Sequence, residues 1–244
     1  MKNSKNKLVI ALFAAMALLP ACTKQGQGMG TLSLQLKAQE DLIDVSTKSN
    51  VSDYTALPEA SAFSLSVVDS NDDITPVSAG VPVSLPVGSY TAKAIYGSSL
   101  EEGFDKPCFE GEEAFLISDA TPKTVTVTVK LANCLVKLVT TEAFRNYYTD
   151  YSFTLTTKAG ASIPFAKGET RAAFIDATSF SLSGSLTNQA GKEQSLSDVE
   201  FKNLNSSSCY TVKIDAPNIG SGSITISFDD TVTDVDLGQV DINE

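Results

Sequence analysis

Thr124-Val125-Thr126-Val127-Thr128-Val129-Lys130-Leu131-Ala132-Asn133-Cys134 is the stretch on which the fold turns. Val125, Val127, Val129 and Leu131 alternate with Thr124, Thr126, Thr128 and Lys130, a period of two that sends apolar side chains to one face of a strand and polar ones to the other. A second apolar run continues to Val139 after a brief break, so one strand ends and another begins almost without a linker.

The same alternation recurs on both sides. It runs through Leu32, Leu34 and Leu36, then Phe63, Leu65 and Val67. Beyond the central stretch it returns in Tyr151, Phe153 and Leu155, in Phe180 and Leu182, in Tyr210, Val212 and Ile214, and in Ile224, Ile226 and Phe228. One buried and one wetted face is the pattern of antiparallel sheets packed face to face. Turn residues separate the runs at Asp69 to Asp73, Pro86 to Ser89, Ala159 to Ala161, Asn188 to Lys192 and Gly220 to Gly222. A change of parity around Gly238, between Val235 and Leu237 on one side and Val240 and Ile242 on the other, predicts a bulge. One short helix is expected over 142–148, with Ala143, Phe144 and Tyr147 on a shared face. The reading is an all-β fold of two consecutive antiparallel β-sandwiches, residues 31–131 and 132–244, with a boundary near Ala132.

The N-terminus has a different logic. Lys2, Lys5 and Lys7 precede an apolar run from Leu8 to Leu19, shorter than the roughly 20 residues of a membrane span. Residues 1–21 read as a signal peptide. Leu19-Pro20-Ala21-Cys22 resembles the lipobox of bacterial lipoproteins, which makes Cys22 the expected lipidation site, the mature N-terminus and the link to the membrane. At about 0.8 kcal/mol per buried CH₂, several acyl chains amount to permanent attachment. Residues 22–30 read as a flexible tether.

Charge and composition exclude several functions. The chain has 244 residues, 18 Lys plus Arg against 29 Asp plus Glu, and neither His nor Trp. Without histidine, every Ser-His-Asp, Cys-His or His-zinc mechanism is excluded. Loss of residues 1–21 removes three lysines and no acid, leaving 15 basic against 29 acidic side chains and a net charge of −14. Such a surface repels phosphate backbones, so nucleic acid is not an expected partner. The only Ser-x-x-Lys, Ser4 to Lys7, leaves with the signal peptide, and no carboxylate pair stands out for glycoside hydrolysis. The chain reads as a non-enzyme without a cofactor.

Asp69, Asn71 and Asp73 occupy the first, third and fifth positions of a calcium loop, but Ile74 replaces the glycine and Gly80 the terminal glutamate. A polar turn is the expectation there, with a metal site as the alternative. Asp229, Asp230, Asp234 and Asp236 read as a solvated edge. Three cysteines follow Cys22. Cys134 and Cys209 each begin a strand of the second half, so a Cys134–Cys209 bridge is the first pairing to consider and Cys108–Cys134 the next, with buried thiols as the alternative.

Several motifs in order carry a family resemblance. They are the lipobox, the tether followed by Gly30-Thr31-Leu32-Ser33-Leu34, a Leu85-Pro86-Val87-Gly88-Ser89-Tyr90-Thr91 hairpin, Phe109-Glu110-Gly111, Lys130-Leu131-Ala132-Asn133 and Lys167-Gly168-Glu169-Thr170-Arg171-Ala172. Together they resemble a Bacteroidetes lipoprotein family described as domain of unknown function 4493. That family is similar in fold to the fimbrillin-like lipoproteins, whose two transthyretin-like (immunoglobulin-like) sandwiches build surface pili. The resemblance implies an outer-membrane, cell-surface lipoprotein, with a periplasmic orientation left open. Its implied role is adhesion or surface assembly, with envelope or pilus proteins as partners. Fimbrillin shaft subunits mature by cleavage at an arginine near the first strand. Here the two arginines, Arg145 and Arg171, lie in the second half, and Lys37 or Lys48 would have to serve instead. The expectation therefore shifts to an anchor, accessory or stand-alone role. Asp230-Thr231-Val232 resembles the O-glycosylation acceptor of these bacteria, which makes Thr231 a candidate modification site. A surface glycan-binding lipoprotein of a polysaccharide uptake system is the alternative. Without Trp, its sugar-stacking surfaces would fall to tyrosines such as Tyr96, Tyr147 and Tyr148.

Overall fold

The computed structural model describes residues 28–42, 49–118, 121–216, 223–228 and 231–236. Cys22, the signal peptide, most of the tether and the predicted bulge at Gly238 lie outside them. No helix of the described residues is long and apolar enough to cross a membrane.

The first half contains β1 (Met29–Ala38), β2 (Asp41–Leu42), β3 (Ser49–Asn50), β4 (Ser64–Asp69), β5 (Ile74–Val77), β6 (Val83–Pro86), β7 (Gly88–Tyr96), β8 (Gly103–Phe104), β9 (Phe109–Ile117) and β10 (Lys123–Leu131). Seven of these form one sheet in the order β5-β4-β7-β9-β10-β1-β6. It folds over on itself because β9 and β10 pair only where Glu110 and Phe109 meet Lys130 and Leu131. The chain there becomes two layers closed over a core. Leu32, Leu34, Val125 and Val127 from one layer meet Leu65, Val67, Ala92 and Ala94 from the other. These are the residues that the alternation places on one face, and their removal from water drives the closure.

The second half contains β11 (Cys134–Thr140), α1 (Glu142–Tyr147), β12 (Tyr148–Thr157), β13 (Ser162–Ala166), β14 (Ala173–Ile175), β15 (Ser179–Asn188), β16 (Glu193–Lys202), β17 (Cys209–Asp215), β18 (Ser223–Phe228) and β19 (Thr231–Asp236). A sheet ordered β19-β18-β17-β11-β14-β8 faces one ordered β13-β12-β15-β16. Between them lie Val136, Val212, Ile214 and Ile226 against Phe153, Leu155, Phe165, Phe180 and Leu182. The short helix forms where expected. The Thr141 hydroxyl accepts the Phe144 N–H as its N-cap, and Phe144 and Tyr147 turn into the core.

The all-β sandwich reading holds, with two features that alternation does not reveal. β1 runs parallel to β10, and β11 runs parallel to β17. Leu85 to Thr91 is also no hairpin: β6 pairs with β1, whereas β7 pairs with β4 and β9. Pro86 and Val87 are a corner at which the chain crosses between layers.

The halves also meet. Leu42, Val51, Phe109 and Leu131 of the first share a buried cluster with Leu135, Ala172, Phe174 and Cys209 of the second. β8 joins the second half's sheet, pairing Phe104 with Ala173 and Gly103 with Phe174.

Candidate functional site

After β13 the chain turns through Lys167 and Gly168, whose φ of 88° is a left-handed conformation natural to glycine. The Glu169 carboxylate then folds back on the segment that follows. Its Oε1 accepts the Thr170 N–H at 3.0 Å, the Arg171 N–H at 2.9 Å and the Arg171 Nε–H at 3.1 Å, while Oε2 accepts from the guanidinium at 2.9 Å. Arg171 also pairs with Asp105 at 2.9 Å and lies 4.4 Å from the centre of the Phe104 ring. Hydrogen bonds from Arg171 hold the Glu169 carboxyl far below its ordinary value, at about 2.

This turn interrupts a sheet. The β11–β14 ladder stops at Val136, opposite Ala173, while β11 runs on to Thr140 with β17 still beside it. Had β14 extended backwards, residues 169–172 would have lain along Lys137 to Thr140. The Thr170 and Arg171 N–H groups instead go to Glu169, and the chain leaves the sheet. A cleft of about 310 Å³ opens there, with Lys137 to Thr140 as one wall and Gly168, Glu169 and Thr170 as the other.

Leu138, Tyr151, Phe153 and Phe165 make its base, and the outward-pointing Val139 is 44% exposed. At the far end Arg145 donates to the Thr140 carbonyl and to the Thr140 hydroxyl. Lys137 Nζ reaches the Tyr54 hydroxyl of the first half at 3.4 Å, and Lys167 lies over the Tyr151 ring while donating to the Thr149 carbonyl. The lining thus has two cations and one acid, and that acid is already matched by Arg171. Both arginines of the chain serve this one place.

The residues singled out by sequence lie elsewhere. Asp69 spends Oδ1 on the N–H groups of Asn71 at 2.8 Å and Asp73 at 3.0 Å, closing the turn between β4 and β5. Among the described residues no three acidic or cysteine side chains converge as a metal set.

The proposed Cys134–Cys209 bridge is not formed, nor is Cys108–Cys134; all three thiols are buried. The parallel register sets Leu135 opposite Cys209, so Cys134 points to the other face of the sheet. There its Sγ lies 3.9 Å from the Asp176 carbonyl, while Cys209 Sγ donates to the Tyr54 hydroxyl at 3.2 Å. Burial, with Glu110 beside it, pushes the Cys108 thiol up to about 11. Burial and nearby Asp176 push Cys134 up to about 12. Both stay protonated and unreactive at neutral pH.

Tyr147 and Tyr148 are core residues packed on each other, and Tyr96 packs on Phe63 and Phe109. None of the three is a flat exposed platform. Thr231 opens β19 opposite Phe228, and Asp230 lies outside the described residues. The cleft residues Lys137, Arg145, Tyr151, Glu169 and Thr170 escape sequence reading as a site. The available signal was the Lys167 to Ala172 motif, which is the cleft's far wall.

A family model described as "Domain of unknown function (DUF4493)" matches residues 28–243. No curated protein matches the sequence. Solved structures match over most of the chain at low identity. A fimbrial assembly protein from Parabacteroides distasonis ATCC 8503 is 12% identical, with 86% of this chain and 99% of that one covered and a TM-score of 0.44. A Bacteroides thetaiotaomicron VPI-5482 protein named for polysaccharide binding (DUF1812) is 11% identical, with 86% and 98% covered and a TM-score of 0.45. A Bacteroides eggerthii DSM 20697 protein named for cell adhesion is 10% identical, with 86% and 96% covered and a TM-score of 0.44.

Proposed function

The chain belongs to the DUF4493 family, and from that premise we propose that it is a lipid-anchored outer-membrane protein, displayed at the cell surface, with a non-catalytic role in adhesion or surface assembly. Cys22 carries the acyl chains, residues 22–30 are the tether, and the two sandwiches are modules that hold a recognition surface away from the bilayer. The observation that carries the reading is the cleft beside β11. It is within the usual size of a binding site and has an apolar base with a few placed polar groups. It contains neither cysteine nor histidine, and its one carboxylate is held as an ion by Arg171, which suits it to binding and not to proton transfer. The glycan-binding alternative loses Tyr147 and Tyr148 to the core and keeps only Tyr151 at the cleft.

Metabolic labelling with a fatty-acid probe, combined with protease shaving of intact cells, tests the reading. Label is expected on the wild type and not on Cys22→Ser, and shaving is expected to remove the protein without lysis. An unlabelled wild type would refute the anchor, and full survival of shaving would refute outward display. Specific oligosaccharide binding on a glycan array, without co-purifying envelope proteins, would favour the alternative.

A further inference from the structure

We propose that the outer face of the sheet β13-β12-β15-β16 is an adhesion face for a neutral, ordered polysaccharide; this goes beyond the cleft and rests on the adhesion reading. One side of that sheet is core, where Phe153, Leu155, Phe180 and Leu182 lie, and the other faces solvent. In the two central strands every second residue points outward, and three successive rows set hydroxyl beside hydroxyl: Ser152 with Ser185, Thr154 with Ser183 and Thr156 with Ser181. Ser195 of β16 continues the first row beside Ser185. The result is a grid of hydroxyls that repeats at about 4.8 Å across the strands and about 6.6 Å along them. None of the six central hydroxyls bonds to another group of the described residues, so cross-strand pairing does not use them up.

Charge complementarity selects the occupant. The chain carries −11, yet the three central rows carry no charge, and charged side chains stand at the border: Asp150 and Glu193 opposite Thr187, and Glu200 paired with Lys202 at 2.8 Å. Rows without a cation do not hold nucleic acid or an anionic lipid. They also lack the large apolar anchors on which a protein interface or a bilayer contact is built, since their outward side chains are all Ser or Thr. What they complement is an uncharged polymer that repeats its own donors and acceptors, and an extended polysaccharide is such a polymer. A hydroxyl–hydroxyl bond gained here replaces bonds to water, so each contact contributes little and a single sugar is not held. Only a chain already ordered in a fibre fills several rows at once without a large ordering cost. That requirement separates the face from a site for soluble oligosaccharides.

The experiment measures retention of the full-length protein, in a polyoxyethylene detergent, on washed particles of cellulose, chitin, curdlan and mannan, with the corresponding soluble hexasaccharides titrated calorimetrically beside them. Retention is expected on at least one fibre, and no binding heat with its hexasaccharide. Thr154→Val combined with Ser183→Ala deletes the middle row of hydroxyls, and Ser183→Glu plants a charge on it. Each should lower retention about tenfold at an unchanged melting temperature. Thr154→Ser, which keeps the hydroxyl, and Thr126→Val, which removes one from the first half, should leave retention as it is. No retention on any fibre, indifference to the middle-row variants, or hexasaccharides bound as tightly as fibres would overturn the inference. So would a dimer that Ser183→Glu splits, because the face would then belong to a second copy. Should retention fail while Cys22-dependent labelling and shaving persist, this inference falls alone; should labelling fail while retention holds, the anchor falls and the face stands.

Discussion

Glu169 closes the turn after β13 with its own side chain. A carboxylate that collects two backbone N–H groups and a guanidinium replaces the ladder partners that residues 169–172 would otherwise seek on β11. Both backbone donors belong to exposed residues that water could also serve, so what the carboxylate supplies is a fixed path for the chain as it leaves the sheet. The same contacts dictate a pH response. The folded-state pKa is about 2, below the ordinary carboxylate value, so the contribution of Glu169 to stability is complete above about pH 4.5 and fades as pH falls towards 2. The difference in melting temperature between wild type and Glu169→Gln should therefore be constant near neutrality and shrink on acidification. A carboxyl NMR titration should place the Glu169 midpoint near 2 in the wild type and higher in Arg171→Ala, still below the ordinary range because the two backbone N–H bonds remain. A wild-type midpoint in the ordinary range would show that the Arg171 contacts do not form in solution.

Strands were legible wherever one face is buried, because alternation is then compulsory: Val125, Val127 and Val129 of β10 and Leu32 and Leu34 of β1 could not be patterned otherwise. Pairing partners were not legible, since a parallel and an antiparallel neighbour ask the same of a strand's side chains. That is why the parallel β1–β10 and β11–β17 ladders are absent from the sequence reading. The Pro86–Val87 corner fails similarly, because turn residues specify a local bend and not whether the strands beyond it pair. The cleft was hidden for a further reason: it is defined by where the β11–β14 ladder stops, a property of two segments more than thirty residues apart. Phe109-Glu110-Gly111, by contrast, carried a readable signal. A Cβ at Gly111 would run into the backbone of Thr128 and approach Val129 Cα at 3.0 Å, where β9 crosses β10 to close the first sandwich. Neither neighbour is a flexible side chain, so the crossing has to widen. Gly111→Ala should cost about 1–3 kcal/mol in denaturant unfolding. An unchanged midpoint would mean that the two layers do not approach so closely.

At the scale of the molecule the question is whether the halves act as one body. The sequence places a boundary at Ala132, and a boundary without a linker already suggests contact. Asn133, 2% exposed, ties the junction together: its side chain accepts the Cys108 N–H and its carbonyl accepts the Ser207 N–H at 2.9 Å. The first half then reaches across. Glu102 accepts the Asp176 N–H at 2.8 Å and the Thr157 hydroxyl, Phe104 packs edge-on against Phe165 at 5.0 Å, and β8 completes the second half's sheet. Beneath these contacts lies the shared cluster of Phe109, Leu131, Leu135, Phe174 and Cys209. An interface both apolar and hydrogen-bonded couples the stabilities of what it joins, whereas modules on a loose tether melt separately. Calorimetry is accordingly expected to show one transition. Phe109→Ala, which empties a site 1% exposed, should cost about 3–5 kcal/mol. Because the cavity opens in the shared cluster, hydrogen exchange should quicken in β1 and in β12 together. Two resolved transitions in the wild type, or faster exchange confined to the first half in Phe109→Ala, would make the halves independent.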